Sequence, residues 1–222
     1  MRTLAIITIL ILTGTTVSIA QDKDKSDGFK PLRFNNITEA TVGFQIGKTT
    51  RTTSFAGGES EANVAGHKFP APRLATSFGL LVGELFYFGP GIAYTFQPAD
   101  KNNSLEHQVS VFGQTRLNFA KGRIRPFLDF KGGYHFASLA EANQTLDSDW
   151  YKWDGFFLEP ALGLSFKLGK HALLNTSLGY QFVNAGNRIE QSIMTDSGNP
   201  IIDATLKENY HRLLLTIGFT FQ

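Results

Sequence analysis

Cysteine is absent from the 222-residue chain, and methionine occurs twice. With no cysteine there is no disulfide framework and no N-terminal thiol to carry a lipid. An exported form must therefore be held together by hydrogen bonding and packing. Charge of one sign is also missing. Lys and Arg total 21 against 19 Asp and Glu, a net charge of +2, and the basic residues are scattered along the chain. This excludes the concentrated basic footprint of a nucleic-acid-binding protein. A long apolar run is lacking too: Leu4–Leu12 falls well short of the roughly 20 residues a membrane-spanning helix needs.

That short run has another reading. Arg2 precedes it, small or polar residues follow from Gly14, and Ser18 and Ala20 occupy the small positions expected before a cut. It is expected to be an export signal over 1–20, cleaved after Ala20. Residues 21–35 begin rich in Asp and Lys and lack periodicity, as expected of a flexible lead-in. The remainder, 36–222, is read as one domain.

What the chain has in quantity is glycine and phenylalanine, 22 and 20 residues, a composition of strands and tight turns. Past the signal, hydrophobicity alternates with period two, in stretches of about ten residues. In the last stretch Leu213, Leu215, Ile217, Phe219 and Phe221 form one face, and Arg212, Thr216, Gly218 and Thr220 belong to the other. Comparable alternation marks 41–47, 74–82, 86–96, 108–119, 124–136, 156–168 and 171–182, for eight expected strands. Links near 84–85, 120–123 and 169–170 are tight, whereas 48–73, 97–106, 139–154 and 183–209 are long. Strict alternation of long and short links is the rhythm of a closed, eight-stranded antiparallel up-and-down transmembrane β-barrel, with short periplasmic turns and long external loops. Lipid offers no hydrogen-bond partners, so such a sheet must close on itself.

In that arrangement the apolar faces point outward. Arg116, Arg125, Asp129, Lys131, Glu159, Lys167 and Arg212 fall on the inner face. Eight strands leave an interior that side chains can fill, so the mixed charges are expected to pair as a plug rather than line a pore. Phe88, Tyr94, Phe96, Phe119, Tyr134, Phe136, Tyr180, Phe182, Phe219 and Phe221 lie near strand ends on the outward face, where aromatic girdles meet headgroups.

The ending Phe219-Thr220-Phe221 resembles the C-terminal insertion signal of outer-membrane barrels, although Gln222 follows it. The runs Gly122-Arg123-Ile124-Arg125-Pro126-Phe127-Leu128, Gly132-Gly133-Tyr134, Pro160-Ala161-Leu162-Gly163-Leu164 and Leu178-Gly179-Tyr180 resemble the small outer-membrane β-barrel domain family, the OmpA/OmpX-like barrels of Gram-negative bacteria. The resemblance runs from about Thr38 onward. It implies residence in the cell outer membrane and contact with its lipids and lipopolysaccharide. It also implies insertion by the barrel-assembly machinery through Phe219 and Phe221. An external partner, if there is one, is expected to meet the long loops.

No residue pattern demands catalysis, a cofactor or a metal. Gly43 to Thr49 imitates a phosphate-binding loop but has three residues between its glycines where four are required. His67, His107, His135, His171 and His211 have no metal-ligand spacing. His135 with Ser138 and Glu141 is the one arrangement that suggests a lipid-acting barrel enzyme, but alternation sends His135 and Ser138 to opposite faces. Trp150, Tyr151 and Trp153 read as interfacial anchors. The expectation is a non-enzymatic barrel. The competing readings are an enzyme acting on lipid or lipopolysaccharide and a soluble, lipocalin-like barrel with charges outside.

Overall fold

The computed structural model describes residues 32–55, 58–64, 69–98, 106–139, 152–191 and 202–222. The expected export signal, most of the lead-in, His67, Glu141, Trp150 and Tyr151 lie outside the described residues. The strands are β1 Leu32–Phe55, β2 Gly58–Val64, β3 Ala71–Val82, β4 Phe86–Gln97, β5 Glu106–Asn118, β6 Ile124–Leu139, β7 Lys152–Lys167, β8 Ala172–Gln191 and β9 Ile202–Phe221. No helix occurs among the described residues. From β3 to β9 sequential neighbours pair antiparallel, β1 pairs antiparallel with β2 and β3, and β1 also pairs with β9, which closes the wall. β2 and β3 share one edge of β1: β3 pairs with Leu32–Gly43 and β2 with Thr49–Phe55. The closed wall therefore has eight strands, β1 and β3–β9, with β2 added above β3.

Alternation sorts the side chains as expected of a spanning sheet. Phe156 and Leu162 are 67% and 65% exposed on the outside, while Phe157 and Ala161 between them are buried. A soluble lipocalin-type barrel would show the reverse, with the apolar face inside.

Three expectations need correction. β1 begins at Leu32, so residues 32–35 belong to the wall and not to the lead-in; they pair with Gly79–Val82. The link expected over 48–73 is largely strand, because β1 runs on to Phe55 and returns as β2. The link expected over 183–209 is largely strand too, since β8 and β9 stay paired out to Gln191 and Ile202. These extensions escape a search for alternation because Lys48-Thr49-Thr50-Arg51-Thr52-Thr53-Ser54 is polar on both faces. The backbone ladder continues through them, pairing β1 with β2 and β9, and β8 with β9.

The Gly43–Thr49 segment is a strand irregularity. Its pairing with β9 slips between Ile46 and Thr50, and Gly47 carries a φ of 75° there. That conformation suits glycine and belongs to a bulge, not to a phosphate loop.

Candidate functional site in the barrel lumen

Cross-strand register assembles the interior. Arg116 on β5 stands opposite Asp129 on β6, and Lys131 on β6 stands opposite Glu159 on β7. Inward parity then adds Glu39 from β1 and Arg73 from β3. Glu159 accepts two hydrogen bonds from the Arg73 guanidinium, at 2.6 and 2.7 Å. It also accepts from Lys131 Nζ at 3.2 Å and from Gln181 Nε2 on β8 at 3.3 Å. Glu39 bridges Arg116 and Lys131, at 2.8 Å each. Asp129 meets Arg116 at 3.0 Å, Lys131 at 3.4 Å and Gln114 Nε2 at 2.8 Å. The Arg116 guanidinium also lies 4.1 Å over the Phe127 ring.

Three cations thus face three carboxylates, and none of the six is more than 5% exposed. Exact charge balance matters here. An isolated buried ion loses several kcal/mol of hydration, and only partners with good geometry offset the loss. Tyr87 donates to Ser77 at 2.9 Å, and Ser77 donates to Gln114 at 2.5 Å, which joins the neutral polar residues to the cluster. Toward the long-link end the bore is filled by Phe112, Phe157, Val183 and Tyr210. Toward the short-turn end it is filled by Ile37, Leu81 and Tyr87. Side chains thus occupy the lumen on both sides of the charge cluster.

The seven charges expected inside do not all meet. Arg116, Asp129, Lys131 and Glu159 come together. Arg125 is buried, but it sits at the short-turn end with its guanidinium 3.9 Å from Glu84. Arg212 is buried nearer the other end, donating to Gln97 Oε1 at 3.0 Å and lying 4.8 Å over Tyr210. Lys167 does not join at all: it is exposed at the end of β7, past the last buried inward residue, Ser165. Glu39 and Arg73 are the members not foreseen. Each lies within two residues of an expected segment and shares the inward parity of its neighbours Thr41 and Ala75, so extending those strands would have found them.

The ten named aromatics all lie on the outward parity. Phe88, Phe119, Phe219 and Phe221 sit near the short turns, and Tyr94, Phe96, Tyr134, Phe136, Tyr180 and Phe182 near the long links. Two of these groups repeat one arrangement. Tyr94 hydrogen-bonds His107 Nδ1 with Phe96 alongside, and Tyr180 bonds His211 Nδ1 with Phe182 alongside. Phe219 and Phe221 lie with ring centroids 6.4 Å apart on the closing strand.

His135 turns inward, as its parity requires, and bonds Ser110 directly across the β5–β6 ladder. Ser110 has 0% exposure, and the His135 ring is stacked 4.3 Å from Phe157. A buried serine that shares its imidazole with no carboxylate is a packing feature. Among the described residues no cluster of His, Cys, Asp and Glu has the makings of a metal site.

A closed wall of eight antiparallel strands, apolar outside and salt-bridged inside, is the architecture of the small outer-membrane β-barrels. Among solved structures, the chain is similar to the outer-membrane protein OprG of Pseudomonas aeruginosa, at 13% identity and a TM-score of 0.52, over 85% of this chain and 94% of that one. It is also similar to Neisserial surface protein A (13% identity, TM-score 0.44, 86% and 98% covered) and to the outer-membrane protease OmpT of Escherichia coli (9%, 0.39, 84% and 96%). At such identities the likeness is one of fold. Neither a protein-family model nor a curated protein matches the sequence.

Proposed function

We propose that the protein is an integral barrel of the Gram-negative outer membrane. In this reading its lumen is sealed by the buried charge cluster, and it acts structurally or through the strands that project beyond its rim. The observation that carries this reading is the inversion of polarity: Leu and Phe on the outer face of the strands, and three balanced ion pairs at mid-height within. OprG, itself described as an outer-membrane protein, supports the same location.

The projecting part is a sheet of β2, the outer half of β1, and the outer halves of β9 and β8. It continues past Gly43, the last β1 residue paired to β3, and past Gly186, the last β8 residue paired to β7. Its ladder is braced by the Arg51–Glu208 pair, and Glu59, Ser60, Glu61 and Asn63 are exposed on β2. A polar, rigid platform of this kind suits contact with lipopolysaccharide sugars or an external protein. The assembly machinery is expected to read Phe219 and Phe221 on the closing strand. No catalytic role is proposed, and the Ser110–His135 contact is sealed from solvent and lipid.

Membrane fractionation with gel migration before and after heating tests this reading. The protein should sediment with the outer membrane and run faster unheated than boiled. A soluble band whose migration is unchanged by heating would overturn the proposal.

A further inference from the structure

At the short-turn end, the β5–β6 turn (119–123) and the β7–β8 turn (168–171) stand side by side. The Lys167 N–H donates to the Arg123 carbonyl at 2.9 Å, which ties one turn to the other. Arg125, buried beneath, donates from Nε to the Gly122 carbonyl at 3.1 Å and pins the first turn from within the barrel. Between the turns lies an open cleft of about 610 Å³, lined by Lys121, Arg123, Lys167 and Lys170 with Leu168 and two glycines. No acidic residue lines it. Among the described residues at this end of the barrel the one acidic side chain is Glu84, which faces Arg125 instead. The lumen balances its charges and this cleft does not.

Its lower border is apolar. Leu168 and Phe119 are each 59% exposed and Ile124 is 54% exposed, so the outer belt of Leu and Phe continues up to the cations. Four cations directly above exposed hydrocarbon match an anionic headgroup with its acyl chains below. A free anion would use only the cations, and a soluble polyanion would leave the apolar border wet. Lys and Arg placed near an anionic lipid surface attract it residue by residue. We propose that this cleft is a binding site for the phosphate of an anionic phospholipid, such as phosphatidylglycerol, in the periplasmic leaflet. The proposal rests on the membrane-barrel reading above. It also gives Lys167 a place, at the membrane edge rather than in the lumen.

The test uses the full chain refolded into mixed phosphatidylglycerol and phosphatidylcholine vesicles, then extracted in mild detergent for native mass spectrometry. Wild-type protein should retain phosphatidylglycerol in preference to phosphatidylcholine by at least about tenfold. The preference should fall to near parity in Lys121→Gln/Arg123→Gln/Lys167→Gln/Lys170→Gln. The milder Lys121→Gln/Lys170→Gln variant, altered only at exposed turn positions, should give an intermediate value. Heat-modifiable migration of all three proteins shows that the barrel has formed, and its absence in the wild type would overturn the membrane reading and this site together. With the barrel formed, equal retention of both lipids by the wild type, or an unchanged preference in the fourfold variant, would overturn the site alone. Displacement of the lipid by excess inorganic phosphate would overturn the lipid assignment and leave a plain anion site.

Discussion

Glu159 is the residue on which the interior depends most, since it satisfies Arg73 through both oxygens while also meeting Lys131 and Gln181. Removing its carboxylate leaves Arg73 buried with no carboxylate in contact. Glu159→Ala is therefore expected to destabilise the barrel by about 3–5 kcal/mol, measured as a lowered urea midpoint for the heat-modifiable form. The double change Arg73→Leu/Glu159→Leu removes both charges, and Lys131 keeps Glu39 and Asp129. It should recover much of that loss, whereas a double variant weaker than the single would show that the pair is not the unit of stability. Backbone proximity gives a second test. A Cβ on Gly89 would lie 2.2 Å from the Phe78 carbonyl oxygen, where β3 and β4 approach closely beside Pro90. Gly89→Ala must push these strands apart, and a cost of about 1–3 kcal/mol is expected, read from the same urea titration. Gly113→Ala, whose Cβ meets nothing within 4 Å, is the matched control and should be near neutral.

Individual strands fall into two kinds, and this sets what a reader of the sequence can see. Where lipid lies on one side and the lumen on the other, alternation is strong. The segments at 86–96, 108–119 and 124–136 emerge within a few residues of β4, β5 and the inner part of β6. Past Gly43 the selection for alternation is lost: Lys48–Ser54 is polar at every position, and β2 with the outer parts of β1, β8 and β9 reads as loop. Glu39 and Arg73 escape notice for a different reason, since both are buried inside the barrel but their strands extend beyond the visible alternation. They sit just beyond stretches whose apolar partners had made the pattern visible, so two of the six charges in the cluster could not be placed until the strands were extended. The spanning and projecting parts should also separate experimentally. Thr49 and Val64 are register partners, so replacing residues 50–63 by Asn-Gly closes a short hairpin there. The pairing of β1 with β3 and β9 up to Ile46 is untouched. This variant is expected to insert and to keep its heat-modifiable migration. Failure to insert would make the projecting sheet part of the folding unit.

For the molecule as a whole, closure and plugging follow from one requirement met twice. Lipid cannot satisfy backbone donors and acceptors, so the wall closes through the β1–β9 ladder. The narrow bore cannot hydrate its charges, so Glu39, Asp129 and Glu159 are matched by Arg73, Arg116 and Lys131. In the proposed reading a barrel filled in this way is expected to carry no ions along its axis and to act through its rim, its projecting sheet or its basic short-turn end. The most direct test is conductance in planar bilayers, using refolded protein first shown to be heat-modifiable. The sealed lumen predicts that the membrane current stays at baseline after insertion. Reproducible stepwise conductance from the same protein would contradict it.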